Sequence, residues 1–254
     1  MGKIISIFNQ KGGVGKTTTA VNLTAALGLA GKKVLLVDVD PQGNTTSGFG
    51  INKQNTVSSY EVLIGTAGIE NAIIKTEYKN VSVVPAKSDL AGAEIELTDL
   101  EKRESRLKTA LLPLRERYDY IFIDCPPSLG LIAINALNAS DSVLVPIQCE
   151  FYAMEGLSQL MATVRQVKRA YNPMLELEGV VLTMYDGRLN LTQQVVGEIK
   201  KYFAKKLFST VIPRTVRLSE APSFGMPIQY FDKRSKGADA YNKLAKEFLK
   251  NNRK

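Results

Sequence analysis

The stretch FNQKGGVGKTTTAVNL, residues 8–23, decides how this chain is read. It has the form of a phosphate-binding loop and departs from that form at one position. Such loops read Gly, four free positions, then Gly-Lys-Ser/Thr. Counting back from Gly15-Lys16-Thr17 puts the first glycine at position 10, where Gln10 stands. Beside it is a second lysine, Lys11, separated from Lys16 by Gly12, Gly13, Val14 and Gly15.

The loop follows an apolar run, KIISIF (3–8), and opens onto residues 16–30, where Ala20, Leu23 and Leu27 recur at helical spacing before Gly31. Strand, loop and helix in that order are the context the motif requires. Gly12, Gly13 and Gly15 let the backbone around Val14 curl until successive N–H groups point at phosphate oxygens. The positive end of the following helix adds to that field. Lys16 is placed to neutralise the β- and γ-phosphates, Thr17 to ligate Mg²⁺, and Thr18 to donate to the α-phosphate. The expected cofactors are therefore ATP or ADP with Mg²⁺.

Two carboxylate stations fit the same reading. YDYIFIDCPPSLG (118–130) is an apolar run ending in Asp124, where a magnesium-holding aspartate belongs, and its Pro-Pro-Ser-Leu-Gly is stiff and then flexible, as a γ-phosphate sensor should be. In LLVDVDPQGN (35–44), Asp38 and Asp40 stand two apart at a strand end and are expected to point the same way. A carboxylate there can orient the attacking water. Capping of the following turn is the alternative, more readily for Asp38 than for Asp40.

Further along, KVLLVD (33–38), VSVVP (81–85), YIFID (120–124), SVLVP (142–146), GVVLTMY (179–185) and LFSTVIP (207–213) read as buried strands. Residues 88–117, 155–171, 192–206 and 238–250 read as helical, and 41–60 as loop followed by a short helix. Alternation of this kind predicts an α/β chain with a mostly parallel sheet and helices on both faces. The expectation is a three-layer P-loop NTPase fold in one domain, residues 1–254.

Composition excludes several chemistries. The 254 residues contain no histidine, which rules out histidine triads and histidine metal sites. Cys125 and Cys149 are too few for a disulfide framework or a structural zinc site. No apolar run reaches the eighteen residues of a membrane span, and the N-terminal run is too short for a signal peptide, so a cytoplasmic location is expected. The net charge of +8 is uneven: residues 1–159 hold 15 Lys/Arg against 17 Asp/Glu, whereas residues 160–254 hold 18 against 8. A basic last third suggests a polyanion partner, with solubility as the alternative.

KGGVGKTT, VDVDPQGN, DCPPSLG and RLSEAPSFG occur together in that order. In combination they resemble the ParA family of deviant-Walker-A ATPases, most closely its chromosomal Soj branch, over essentially the whole chain. The resemblance implies that Lys11 reaches across a homodimer to the partner's ATP, which then bridges the two chains. It places Asp40 at the lytic water and Asp38 near the magnesium shell. Pro213 and Thr183 match positions lining the adenine pocket, although Thr183 departs from the asparagine often found there. It also implies non-specific binding to double-stranded DNA, nucleoid association, and hydrolysis triggered by a ParB-type centromere-binding partner. Chromosomal members often regulate replication initiation as well, which adds a replication initiator to the implied partners.

For DNA, Arg188 and Arg217 match the family's positions, within a cluster that includes Lys200, Lys201, Lys205, Lys206, Arg214, Lys233, Arg234 and Lys236. Singly, each lysine is most simply a solvated helix face. With no zinc finger or helix-turn-helix, phosphate contacts should dominate. A MinD-like membrane-associated division-site ATPase is the alternative. It requires a C-terminal amphipathic membrane helix, and the stripe Tyr241, Leu244, Ala245, Phe248, Leu249 reads more simply as a helix docked on the core. A redox or biosynthetic enzyme like the nitrogenase iron-protein relatives needs a cluster-bridging cysteine pair, which Cys125 and Cys149 do not match.

Overall fold

Strands that are apolar on both faces need cover on both faces. In β1 (Lys3–Ile7), Ile5 and Ile7 turn to one side while Ile4 and the following Phe8 turn to the other, and all four are buried. The structure, a computed structural model, describes residues 1–150 and 153–253. Around β1 lie β2 (Val34–Asp38), β3 (Ile74–Lys75), β4 (Val81–Val84), β5 (Tyr120–Asp124), β6 (Ser142–Gln148) and β7 (Glu176–Thr183). Their order across the sheet is β3-β4-β2-β5-β1-β6-β7, parallel throughout except for the edge hairpin of β3 on β4.

The helices are α1 (Lys16–Leu29), α2 (Asn44–Gly48), α3 (Ser59–Ile64), α4 (Ile69–Ala72), α5 (Leu90–Glu96) and α6 (Arg106–Leu111), then α7 (Leu131–Ala139), α8 (Ala153–Ala170), α9 (Asn190–Phe203), α10 (Val216–Glu220), α11 (Ile228–Phe231) and α12 (Lys236–Asn251). α1 and α12 cover one face through Leu23, Leu27, Tyr241, Leu244 and Phe248. α3 and α5 to α9 cover the other, with Leu63, Leu90, Leu107, Leu137, Leu160 and Ile199 among the buried contacts. The three-layer, mostly parallel P-loop NTPase architecture expected from the sequence is the one observed.

The tail stripe is a core face. Tyr241 and Phe248 are fully buried, and the Phe248 ring meets Tyr120 edge-on at 5.1 Å. Among the described residues no helix is long and apolar enough to cross a membrane.

Three segments differ from the sequence expectation. Residues 207–213 form no continuous strand: isolated bridges join Leu207 to Val180 and Pro213 to Tyr185, and the Phe208 and Ile212 N–H groups donate to Val180 O and Leu182 O at 2.9 and 2.8 Å. In between, the backbone N–H groups of Ser209 and Thr210 donate to Glu247 of α12 at 2.6 and 2.9 Å, so the ladder is interrupted where a carboxylate takes two of its donors. Residues 88–117 break into α5, α6 and short 3₁₀ turns, where Lys102 takes a left-handed φ of 52° and Pro113 lacks a backbone donor. The stretch 41–60 already contains α2 before α3 begins.

Candidate functional site

Register brings the motifs together. Ile7, at the end of β1, pairs with Asp124 of β5, and Asp124 pairs with Asp38 of β2. The loop and both aspartates therefore share the carboxyl ends of three adjacent strands, where open α/β sheets place ligands. The loop is braced by Asn9, whose amide donates to Pro146 O at 2.8 Å and whose Oδ1 accepts the Lys11 N–H at 3.0 Å. Gly13 and Gly15 adopt left-handed backbone with φ of 73° and 84°, a conformation that other side chains rarely accept.

The two lysines face different surroundings. Lys16 is buried, and its Nζ donates to the Lys11 carbonyl at 3.1 Å. Lys11 turns outward, where its Nζ forms an exposed ion pair with Glu150, just after β6. Burial pushes the Lys16 ammonium down, while the charges of Asp124 and Asp40 oppose that shift.

α2 hangs two threonines on the two buried aspartates. Asp38 Oδ2 accepts the Thr46 N–H at 2.9 Å and the Thr46 hydroxyl at 2.7 Å, while its Oδ1 accepts the Asp40 N–H at 3.2 Å. Asp124 Oδ2 accepts the Thr45 hydroxyl at 2.8 Å. Its Oδ1 is buried without a partner among the described residues. Desolvation raises both carboxyls above their ordinary range, and their mutual repulsion adds to it for Asp124, where the hydrogen bond from Thr45 opposes the shift. A fully desolvated carboxylate oxygen with no donor, beside a second carboxylate, suits a cation. The donor set, carboxylate oxygens of Asp124 and Asp38 beside threonine hydroxyls, is of the hard-oxygen kind that fits Mg²⁺ shared with phosphates.

Asp38 and Asp40 do not act alike. Asp38 closes β2 with its oxygens committed to backbone and threonine, whereas Asp40 lies past the strand, with Oδ1 accepting the Gln42 N–H at 3.0 Å. The turn-capping alternative thus describes part of the bonding of both. Thr183 and Pro213 do line one cleft of about 270 Å³, together with Gly15, Thr18 and Tyr241. The Thr183 hydroxyl is spent on Val14 O at 2.8 Å, however, making it a strut under the phosphate loop. Tyr241 joins this wall from α12 and bonds the Thr19 hydroxyl at 3.2 Å.

The basic third is laid out differently. Arg188 grips Asp186 with two bonds of 2.8 and 2.6 Å. Arg217 pairs with Glu220 and Asp232 at 3.0 and 3.2 Å and lies over the Phe231 ring. Lys201 pairs with Glu198, while Lys200, on the exposed side of α9, has no ion pair among the described residues. Both cysteines lack the exposure a bridged cluster needs: Cys125 is buried and Cys149 half-buried.

Thr45, Thr46, Asn9 and Glu150 were not foreseen as parts of the site. Thr45 and Glu150 meet partners remote in sequence, so no local spacing announces them, whereas Thr46 and Asn9 lie eight and two residues from Asp38 and Lys11. The helix α7 was also missed, although LIAINALNA after Gly130 carries helical periodicity.

Comparison with known proteins gives a consistent picture. A family profile described as an AAA domain matches residues 2–177. The sporulation initiation inhibitor protein Soj of Bacillus subtilis (strain 168) is 59% identical over 99% of this chain and 100% of its own length. The chromosome partitioning protein ParA of Myxococcus xanthus (strain DK1622) is 55% identical over 98% of this chain and 89% of its own. A solved cobyrinic acid a,c-diamide synthase from Mycobacterium smegmatis, with bound ADP and magnesium, matches with a TM-score of 0.86 and 38% identity, over 98% of this chain and 95% of that one. With the loop, the two aspartates and full-length identity of this order in agreement, the chain belongs to the ParA/Soj family of chromosome-partitioning ATPases.

Proposed function

We propose that this partitioning ATPase works as a nucleotide-operated dimer that holds double-stranded DNA through backbone phosphates and lets go after hydrolysis. The observation that carries the reading is the opposed setting of the two loop lysines. Lys16 is buried against its own loop, and Lys11 is exposed with its ammonium directed away from it. A cation in that position is available to a second chain, where it would offset charge on the transferring phosphoryl group.

In this reading Gly12 to Thr18 cradle the phosphates and Lys16 neutralises them. Thr17 and Asp124 would hold Mg²⁺, with Asp38 behind them; the ion supplies charge neutralisation for the β- and γ-phosphate oxygens. Asp40, with one oxygen on Gln42 N–H, orients the attacking water. The base lies in the cleft of Thr183 and Pro213. A ParB-type partner accelerates hydrolysis, which makes each turnover a timer for release. The Lys11–Glu150 pair is exposed on both sides, so breaking it costs only about 0–1 kcal/mol.

Sedimentation with ATP, ADP or no nucleotide tests the reading. Lys11→Ala should bind ADP within about twofold of wild type yet fail to dimerise with ATP, the trans contact being worth far more than the exposed pair it leaves. A Lys11→Ala chain that dimerises and hydrolyses normally overturns the trans role. A MinD-like membrane function is disfavoured by α12, whose apolar face is already used by the core.

A further inference from the structure

The first N–H groups of a helix have no acceptors within it. α7 starts immediately after residues 125–130, and its N-cap, Gly130, has no side chain to offer. The acceptor arrives from α5. Glu94 takes the Leu131 N–H on Oε2 at 2.7 Å and the Ile132 N–H on Oε1 at 3.2 Å. A carboxylate at that point also meets the positive end of the helix and forms charge-assisted bonds. Gly130 is required for room: a Cβ there would overlap both Glu94 carboxylate oxygens. Glutamate at 94 and glycine at 130 make up one device.

That device pins one end of a segment whose other end is fixed by the sheet. Asp124 closes β5, and the Cys125 N–H donates to Ile7 O at 3.3 Å, beside the phosphate loop. Between the pins Pro127, Ser128 and Leu129 are exposed. The far side of the device leads back to the other aspartate. Ala86, just before α5, donates its N–H to the Thr46 hydroxyl at 2.9 Å, the same hydroxyl that holds Asp38. Glu94 therefore completes a circuit from Asp38 through Thr46 and α5 to the start of α7 and back to Asp124. Deeper along α7, Asn135 ties to Arg103 O and Leu107 N–H at 2.6 and 3.1 Å, so the helix body stays fixed when its start is released.

We propose that Glu94 is a positioning residue for ATP hydrolysis: by clamping the start of α7 it sets where Pro127 to Leu129 stand at the phosphate end of the site. The proposal rests on the reading that residues 125–130 face the γ-phosphate. It makes Glu94 matter for ATP and its turnover, and not for ADP.

The test uses full-length wild type, Glu94→Ala, Glu94→Gln, Gly130→Ala and the double variant Glu94→Ala/Gly130→Ala. ADP affinity reports the folded, loop-competent fraction, and turnover is normalised to it. Glu94→Ala should keep ADP affinity within about twofold and lose about tenfold or more in normalised turnover, the scale of a misplaced positioning group. Glu94→Gln, which keeps an acceptor for Leu131, should recover part of that loss. Gly130→Ala should match Glu94→Ala, and the double variant should be no worse than either. Wild-type turnover in Glu94→Ala, or losses that multiply in the double variant, overturns the proposal. The underlying reading is tested separately by Pro127→Ala/Ser128→Gly. If that variant leaves the ATP-to-ADP affinity ratio unchanged, the segment does not face the γ-phosphate and both ideas fall; if the ratio changes while Glu94→Ala turns over normally, only the role of Glu94 falls.

Discussion

Lys16 keeps 7% of its surface exposed and is oriented by a main-chain carbonyl of its own loop, whereas the Arg188 side chain is 89% exposed and is held by a neighbouring aspartate. The contrast extends to whole regions. Around the phosphate loop, Lys16, Asp38 and Asp124 are buried and bonded to backbone or threonine, whereas Lys11 turns to solvent. On the last third, cations stand in water and Arg188, Arg217 and Lys201 are each paired with a carboxylate of their own chain. A buried polar site is assembled before its ligand arrives, because leaving such groups unsatisfied is costly. An exposed basic face needs no assembly; its pairs contribute little and can be exchanged for phosphates.

The largest expected effect lies on the buried side. Lys16→Ala should lower ATP turnover by about 100-fold or more and weaken nucleotide binding, measured by titration and phosphate release, because one preorganised charge at the transferring group is lost. A loss of only a few fold would mean that the loop's backbone carries the site without it. On the exposed side, Arg188→Glu with Arg217→Glu should weaken DNA binding about tenfold or more and flatten its salt dependence, each phosphate contact contributing about one unit of slope. ATP binding should not change, which checks that the two regions are separable. Unaltered retention on DNA would remove these arginines from the interface.

Smaller effects sharpen the contrast. Asp186→Asn should raise DNA affinity, by about threefold, since it frees Arg188 and removes a competing anion. A fall in affinity would mean that Asp186 orients the arginine for its target. Glu61 provides a structural counterpart. Burial pushes its carboxyl up, but bonds from the Ser58 hydroxyl and N–H and from Lys87 outweigh that and bring it down to about 2. A carboxyl depressed in the folded state lends stability above its unfolded value and withdraws it as pH falls toward about 2. Glu61→Gln should therefore flatten the acid limb of the melting-temperature profile between about pH 4.5 and about pH 2, whereas Asp186→Asn should not move melting at neutral pH.

The same contrast explains what could be read ahead of the structure. Gly15-Lys16-Thr17, Asp124 and the buried strands carry short-range signals, because loop curvature and strand pairing are written in adjacent residues. Thr45, Glu150 and Glu94 act through contacts that only the tertiary fold creates; Thr45 meets Asp124 from 79 positions away. The run 207–213 misled because apolar content speaks for a strand, while the fate of two N–H groups was decided by Glu247 on a later helix. Thr183 shares a cleft with Pro213, and its partner, a loop carbonyl, is not foreseeable from its surroundings.

The position of β1 has a consequence for synthesis. β1 and the phosphate loop are made before the strands that flank β1, since β5 and β6 begin at residues 120 and 142, and the cleft of Thr183 and Pro213 takes a wall residue from α12. On a ribosome that emits β1 well before β5 and β6, β1 must wait for neighbours more than a hundred residues behind it. A nascent chain halted before Tyr241 has its glycines and lysines in order but lacks one wall of that cleft. Nucleotide retention by stalled chains of increasing length should therefore reach its full strength only after α12 has left the exit tunnel.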